Sequence, residues 1–554
     1  MRAECSSIPA QTSVSWRRLV LMSLTVGVLA GLTVAAARAA ARATSGTFDE
    51  TIYLDLARRA WFEHNTEGFT ELGVAPLPVM LAWSRAAVEP FDQATGDPAV
   101  YTNRVARARN NAIWWFAVPL VVSVFLWLAV RSGFAAGLMA AGVLALSPNL
   151  LGHAALATTD VAFALTVVLS LAPLTTLIES QSVPRAVALA AALGIALATK
   201  YSATALFVCA AAVMWLHRRG RRRSLDVLTL GGGLLVAWAA HGFALSPLIS
   251  SSGSVAQIVT WAGVDSGRAL EWLTALRGPS YVRGIAAQLY LERSGQEAFL
   301  LGARSPTGWW YYFPVALALK STPVEMVALA AFVPLAAGRW KRDLDIRVLA
   351  TAALVFGILP LAGHRNLGVR YLFPLVIIAV MGTAGWLGPS MSVRPRLKVA
   401  TVALALAVQA GSFLSVAPQH LAYFNLMAGG PSRGYLRLVD SNLDWGQDLP
   451  RLSAWLREHQ TNHVSLAYFG TAPPRAYDID AVGYREAPGA WDRPKWFALS
   501  VTYLQGVFVC GDPFQAFRSL SPDARIGYSI MVYSTERADV QQALNAARLN
   551  ACVH

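Results

Sequence analysis

The chain has 554 residues, 55% hydrophobic and only 14% charged, against about 25% charged in an average soluble chain. With a mean hydropathy of +0.44, this excludes disorder, a collagen repeat and a disulfide scaffold, and indicates a polytopic membrane protein. The net charge is 46 − 32 = +14, a value that invites a nucleic-acid reading until the charges are located.

A bilayer core of ~30 Å takes about 20 apolar residues per helix. Apolar windows of that kind recur at 18–40, 112–130, 134–148, 161–178, 186–199, 202–216, 227–248, 312–337, 348–363, 372–388 and 399–417. They predict about eleven transmembrane helices. Residues 1–16 are polar and lead into a first span read as a retained anchor. Numbering the gaps alternately from a cytoplasmic N-terminus puts Arg17, Arg18, Arg131, Arg185, the 218–223 arginines, Arg339, Lys341, Arg342, Arg347, Arg394, Arg396 and Lys398 on one side. These gaps are short and basic, as cytoplasmic loops are. Three alternate gaps, 41–111, 249–311 and 418–554, are long and mixed. The expected protein is therefore multi-pass in a cytoplasmic membrane. Its N-terminus is inside and its C-terminal part extracytoplasmic. The basic excess is then orientation signal, and no nucleic-acid partner is expected.

The outer segments carry the candidate chemistry. The first, 41–111, opens on Thr47-Phe48-Asp49-Glu50-Thr51. Two adjacent carboxylates at a membrane face are costly unless solvated or used. The plainer alternative is that they cap the following helix, 51–64, whose periodicity suits an interfacial helix. A second cluster runs from Ser147-Pro148 through His153 to Thr158-Thr159-Asp160. It puts a histidine and an acid in one outer turn, with an N-cap role for Asp160 as the alternative. A third set is cationic: Lys200, Lys320, Arg365 and Arg370. A lysine inside a span is expensive, and snorkelling suits Lys200 better than Lys320. All four reach the same outer side, where a lipid phosphate is the natural shared ligand.

Residues 418–554 are not membrane material. Strands are expected at 463–469, 496–503 and 526–533, and helices at 449–459 and 538–549, giving a small α/β domain outside the membrane. Its string Asp440-Ser441-Asn442-Leu443-Asp444-Trp445-Gly446-Gln447-Asp448 mixes acids, amides and an indole, as carbohydrate contacts do. A turn with an N-cap is the alternative. Cys510 and Cys552 both fall here. Pairing and two free thiols both remain open.

Taken together, these strings resemble the bacterial members of the GT-C glycosyltransferase superfamily. Among these it is similar to the dolichyl-phosphate-mannose protein mannosyltransferases and the lipid A aminoarabinose transferase. The resemblance rests on the acid pair after the first span, the Ser-Pro/His/Thr-Asp turn, Lys200-Tyr201, the Trp309-to-Lys320 stretch and Asn366-Leu367-Gly368-Val369-Arg370-Tyr371. It implies a GT-C-like transmembrane domain over 1–417 with the α/β domain at 418–554. It also implies an enzyme that moves a sugar, with inversion, from a polyprenyl-phosphate donor to an acceptor hydroxyl on a protein, lipid or glycan. Asp49 is then the catalytic base and Glu50 its partner. Lys200, Lys320, Arg365 and Arg370 hold the donor phosphate. His153, Asp160, Asp444, Trp445 and Gln447 are further site candidates. No cofactor is required by any spacing, and a divalent metal stays open. The competing expectations are a transporter or flippase for a lipid-linked sugar, which would ordinarily show duplicated halves, and an inactive membrane scaffold.

Overall fold

The computed structural model describes residues 16–89, 98–247, 275–390, 394–484, 491 and 493–550. The polar N-terminal tail with Cys5, much of the second outer loop, and Cys552 lie outside the described residues. Six helices are long and apolar enough to cross a bilayer: Trp16–Arg42, Ala99–Arg131, Asp160–Glu179, Leu344–Ala362, Val369–Leu387 and Pro395–Leu414. Helices Phe134–Ala145 and Pro148–Ala154 meet at 65° and count as a seventh if they form one broken span.

By length and composition the described residues thus offer six or seven spans, where about eleven were expected. The rest are shorter or interrupted for local reasons. Val183–Thr199 and Tyr201–Leu216 are apolar but short. Arg223–Ala240 begins on charged residues, with Asp226 in its first turn. The expected span 312–337 is cut at Ser321-Thr322-Pro323 into Tyr312–Lys320 and Pro323–Arg339. Pro323 sits where its missing N–H matters least. Thr322 and Glu325 cap that helix reciprocally: the Glu325 N–H donates to Thr322 Oγ1 at 3.2 Å, and the Thr322 N–H to Glu325 Oε2 at 2.9 Å.

The helix ends sort into two sets. At one end Arg131 reaches Glu179 at 2.5 Å and Asp345 at 2.6 Å. At the opposite ends of the helices that carry these residues, or of their neighbours, lie Asp160, Lys200 and Arg370. The site residues therefore share one side of the bundle.

Helix Phe48–Phe62 does not lie as a separate element at the surface. Its Leu56, Ala57 and Ala60 are buried in a cluster with Val79, Trp83, Val105 and Phe116. Burial of a leucine such as Leu56 contributes ~1.5–3 kcal/mol and each alanine methyl about 0.8 kcal/mol, so the helix is fixed against the bundle and its first residues are held in place.

Two small antiparallel pairs, β1 (Leu245–Pro247) with β2 (Arg277–Pro279) and β3 (Ala298–Leu300) with β4 (Ala303–Ser305), edge the same side. The C-terminal residues build a five-stranded sheet from β5 (His463–Ala467), β6 (Asp480–Gly483), β7 (Trp496–Ser500), β8 (Ala524–Ile526) and β9 (Ile530–Ser534). Its order is β6-β5-β7-β9-β8. β5 is parallel to β6 and β7, and β9 is antiparallel to β7 and β8. Helices Leu449–Glu458 and Ala538–Asn550 accompany it. The expected strand 526–533 is a hairpin, β8 and β9, and β6 was not anticipated. Cys510 is disulfide-bonded, and Cys209 is a buried free thiol.

The sheet does not stand apart from the bundle. One buried cluster joins Tyr312, Phe313 and Leu372 to Leu443, Trp445, Phe497 and Phe514. The string around Trp445 lies at this seam.

Candidate active site

Asp49 and Glu50 are neighbours with different surroundings. The Asp49 side chain is 23% exposed and the Glu50 side chain 0%. Glu50 Oε2 accepts from the Thr47 N–H at 2.8 Å and the Thr47 hydroxyl at 3.0 Å, closing the helix N-terminus. Its other partners come from elsewhere. The Arg109 guanidinium donates at 2.6 and 2.8 Å, and the Ala157 N–H at 2.9 Å. Burial alone would raise the Glu50 carboxyl, but the Arg109 charge and these hydrogen bonds outweigh it and hold it below its ordinary value. Arg109 itself is buried and also donates to the carbonyls of Ala41, Thr44 and Ser45. Glu50 is therefore a clamp that fixes where Asp49 points.

Asp49 faces Arg370, whose Nη1 lies 3.1 Å away. The same Nη1 is 3.2 Å from Asp160, and Asp160 accepts from Lys200 Nζ at 2.6 Å. Asp160 opens its helix, but it also aligns two cations, which a cap alone would not do. The Arg370 guanidinium lies 4.3 Å from the centre of the Trp445 ring, and Lys200 Nζ 4.9 Å from that of Tyr371, both cation–π distances. Arg370 Nε is buried with no hydrogen-bond partner among the described residues. A buried N–H without a partner is uncommon in folded proteins.

Local backbone aims Arg370. Gly368 has φ +114°, a conformation L side chains rarely adopt, and a Cβ there would fall 2.7 Å from Ser441 Oγ. The next N–H, of Val369, donates to Asn442 Oδ1 at 3.0 Å. The Asn-Leu-Gly-Val-Arg-Tyr string is thus a turn docked on the Asp440–Asn442 turn.

The Asp444-to-Asp448 string has a similar task. The Phe48 N–H donates to the Trp445 carbonyl at 3.0 Å, the Ser45 N–H to the Gln447 carbonyl at 2.9 Å, and the Ser45 hydroxyl to the Gly446 carbonyl at 2.7 Å. The chain entering the Asp49 helix is thereby tied to the C-terminal part. Gln447 folds back, accepting from the Trp445 N–H and donating to the Leu443 carbonyl, both at 2.7 Å. Asp444 accepts from the Ser500 hydroxyl and from the Thr502 N–H at 3.0 Å. Gly446, at φ +82°, lets this loop approach Gly470, whose Cα would lie 2.8 Å from a Cβ.

A cavity of about 580 Å³ gathers the exposed functional groups. Asp49, Lys200, Arg365, Arg370 and Trp445 line it, with Tyr53, Tyr371 and Asp440. Arg365 Nε donates to Gln296, another lining residue, at 3.2 Å. The remaining candidates are brought near it but do not line it. Lys320 is buried, and its Nζ donates to the carbonyls of Leu421, at 2.9 Å, and Asn442, at 2.5 Å. It pins the bundle to the C-terminal seam. The His153 ring packs 5.7 Å from that of Trp445, with Nδ1 against the Asn149 carbonyl at 2.9 Å. Glu50, Asp444 and Gln447 are buried as described.

Sequence reasoning missed two residues. Arg109 is one of several arginines in a polar helix, and nothing in that stretch marks it. Asp440 was in the quoted string but was not singled out. It lines the cavity at φ +56° and interacts with Arg370 and Asp49. Burial pushes its carboxyl up to about 7, against the opposing pull of Arg370. A non-glycine residue held left-handed beside charged groups is a signal only the structure supplies. Among the described residues no group of three His, Cys, Asp or Glu side chains is placed to hold a metal ion.

Comparison with known proteins gives one family. Residues 107–242 match the dolichyl-phosphate-mannose-protein mannosyltransferase family, a segment that includes Arg109, His153, Asp160 and Lys200. The resemblance read from the sequence is borne out over that segment. No curated protein matches the chain. Among solved structures, ArnT from Cupriavidus metallidurans bound to undecaprenyl phosphate is similar at 12% identity with a TM-score of 0.47, over 95% of this chain and 99% of that one. The apo state of that ArnT is similar at 16% identity with a TM-score of 0.28, over 94% of this chain and 98% of that one.

Proposed function

We propose that the chain is a membrane glycosyltransferase that moves a sugar from a polyprenyl-phosphate donor to an acceptor hydroxyl at the extracytoplasmic face. The observation that carries this reading is the single cavity lined by Asp49 together with Lys200, Arg365 and Arg370. With Asp440 protonated, three cations stand against Asp49 and Asp160, a formal balance of 3 − 2 = +1. A sugar phosphodiester carries one negative charge, and the departing phosphate gains a second as its bond to the sugar breaks. Positive charge fixed beforehand in a low-dielectric site favours that change.

The acceptor hydroxyl gives its proton to Asp49 as its oxygen attacks the anomeric carbon opposite the phosphate. The new C–O bond forms while the bond to the phosphate oxygen breaks, and the electron pair leaves on the phosphate. Configuration inverts. Arg370, Lys200 and Arg365, which line the cavity together, hold the phosphate. Asp160 orients Lys200 and Arg370, and Glu50 with Arg109 fixes the start of the Asp49 helix. Trp445 backs Arg370, and Gln447 and Asp444 hold the loop that carries Trp445. His153 packs behind the same indole.

The short basic loops support a cytoplasmic N-terminus in a bacterial inner membrane and an outward C-terminal α/β domain. The shorter and broken apolar helices 183–199, 204–216, 223–240 and 312–339 supply the remaining crossings toward about eleven. A test uses the full chain in nanodiscs with a panel of undecaprenyl-phosphate sugars, following release of undecaprenyl phosphate in the presence of acceptors. Wild type turns over at least one donor and Asp49→Asn does not. Full turnover by Asp49→Asn overturns the reading.

A further inference from the structure

The C-terminal sheet contains a second cavity, of about 460 Å³, that the mechanism above does not use. Its lining includes the carboxyl ends of the three parallel strands, with Leu466 and Tyr468 at the end of β5, Gly483 and Tyr484 at the end of β6 and Tyr503 after β7, and it continues along β6 through Ala481 to Ile479 and the Pro473–Arg475 turn. β6 lies on one side of β5 and β7 on the other, so the chain reverses its direction of progress across the sheet at β5. In open α/β sheets the crevice beyond the carboxyl ends of strands at such a reversal is where ligands bind. The volume falls in the range of small-molecule sites, about 300–1,000 Å³.

The second cavity adjoins the first. Gly470 and Tyr503 line both. The loop between them and the catalytic helix is fixed: the Thr471 hydroxyl donates to the Phe48 carbonyl at 2.8 Å, one residue before Asp49. The Phe48 and Phe469 rings stack at 5.4 Å. A molecule seated at the strand ends therefore has a short way past Gly470 to the Asp49 carboxylate.

We infer that this second cavity is the acceptor subsite and that its occupant is a carbohydrate, a sugar ring of a free glycan or of a glycolipid headgroup. This rests on the transferase reading above. Three tyrosines line the cavity. Tyr484 and Tyr503 are held ring to ring at 5.3 Å, and the Tyr468 hydroxyl is fixed on the Gly446 carbonyl at 2.6 Å. Rings set in place before binding offer faces to a sugar at little entropic cost. Exposed Arg475 adds five donors for hydroxyl or anionic oxygens.

The test uses the full-length chain in detergent, labelled and applied to immobilised glycans, to vesicles carrying glycolipids, and to immobilised Ser/Thr-rich peptides. Undecaprenyl phosphate binding is measured in parallel. Wild type is expected to retain a subset of the glycans or glycolipids. Ala481→Trp, which fills the cavity from β6, should weaken that retention at least tenfold and leave undecaprenyl phosphate binding unchanged. Arg475→Ala, an exposed change that leaves the core intact, should weaken it severalfold. Retention on free glycans or on glycolipids alike supports the inference and tells the two sources apart. Retention of peptides alone, no glycan retention by wild type, or equal glycan retention by wild type and both variants overturns it. Loss of undecaprenyl phosphate binding in wild type would instead strike the transferase reading, so the two failures are distinct.

Discussion

Arg370 Nη1 lies 3.1 Å from the Asp49 carboxylate, so the proposed base and a proposed phosphate ligand are bonded to each other. A donor phosphate competes with Asp49 for that guanidinium. On the proposed mechanism, binding the donor then frees the base and couples chemistry to occupancy of the phosphate site. Asp49→Asn should lower transfer by about 10²–10⁴-fold, the usual contribution of a positioned base. Undecaprenyl phosphate should bind the variant as tightly as wild type or tighter, because the competing charge is gone. Arg370→Gln should instead weaken binding of the lipid phosphate. A lost charged hydrogen bond of about 1.5–3 kcal/mol corresponds to tenfold or more in lipid-phosphate affinity. Equal affinity for the lipid phosphate in wild type and Arg370→Gln would remove Arg370 from this role.

The Glu50–Arg109 pair is buried on both sides, at 0% and 2% side-chain exposure. Removing one member of such a pair leaves the other charge uncompensated, typically at about 3–5 kcal/mol. Glu50→Gln should therefore lower the unfolding midpoint in detergent sharply. The double variant Glu50→Gln/Arg109→Met should recover part of the loss, since no orphan charge remains. A midpoint for Glu50→Gln equal to wild type would mean that the clamp is not what holds the Asp49 helix.

Lys320 separates two ways of using a cation inside a span. Its Nζ is satisfied by the carbonyls of Leu421 and Asn442 and lies 4.4 Å from the centre of the Phe424 ring. Lys320→Met should weaken the seam by about 1–3 kcal/mol, because two buried carbonyls lose their donor. Undecaprenyl phosphate affinity should stay within twofold of wild type. A tenfold loss of that affinity in a variant of near-normal stability would return Lys320 to the phosphate site.

The division between what was legible and what was not follows these residues. Asp49 and the cations Lys200, Arg365 and Arg370 stand out in the sequence because a charge at a membrane edge is expensive, and the structure sets all four around one cavity. The same argument picked Lys320, but expense alone does not say whether a ligand or a backbone carbonyl compensates it. Glu50 and Asp49 look alike in sequence. They part company through distant partners, Arg109 and the Ala157 N–H for Glu50 and Arg370 for Asp49, which no local pattern reveals. The Asp444–Asp448 string looked like a sugar contact. Apart from the Trp445 ring its side chains turn inward, because its main chain is needed to tie residues 45–48 to the sheet. Span counting worked where apolar runs are continuous. It strained where Pro323 or a charged first turn interrupts them.

Asp440 and Asp444 supply a pH dependence with a definite sign. Burial pushes the Asp440 carboxyl up to about 7 and the Asp444 carboxyl up to about 6. The groups facing Asp440 are Arg370, which pulls it down, and Asp49 and Asp444, which push it up; Tyr312 is also near enough to interact with it. A carboxyl raised in the folded state favours the folded state while it is protonated. That stability is fully present below the ordinary value of about 4 and is lost as pH rises through 6 and 7. The unfolding midpoint in detergent should therefore fall between pH 5 and pH 8, by on the order of a few kcal/mol of stability. Asp440→Asn should flatten the upper part of that decline. Asparagine accepts the left-handed backbone at this position, φ +56°, about as readily as aspartate, so the variant isolates the charge. Donor binding should follow the same group. Above pH 7 an ionised Asp440 places a new negative charge in the cavity proposed to receive the phosphate, so from pH 6 to pH 8 undecaprenyl phosphate affinity should fall in wild type relative to Asp440→Asn, the second ionisation of the phosphate at about pH 6 being common to both. An affinity that falls equally in both proteins would assign the pH dependence to another group.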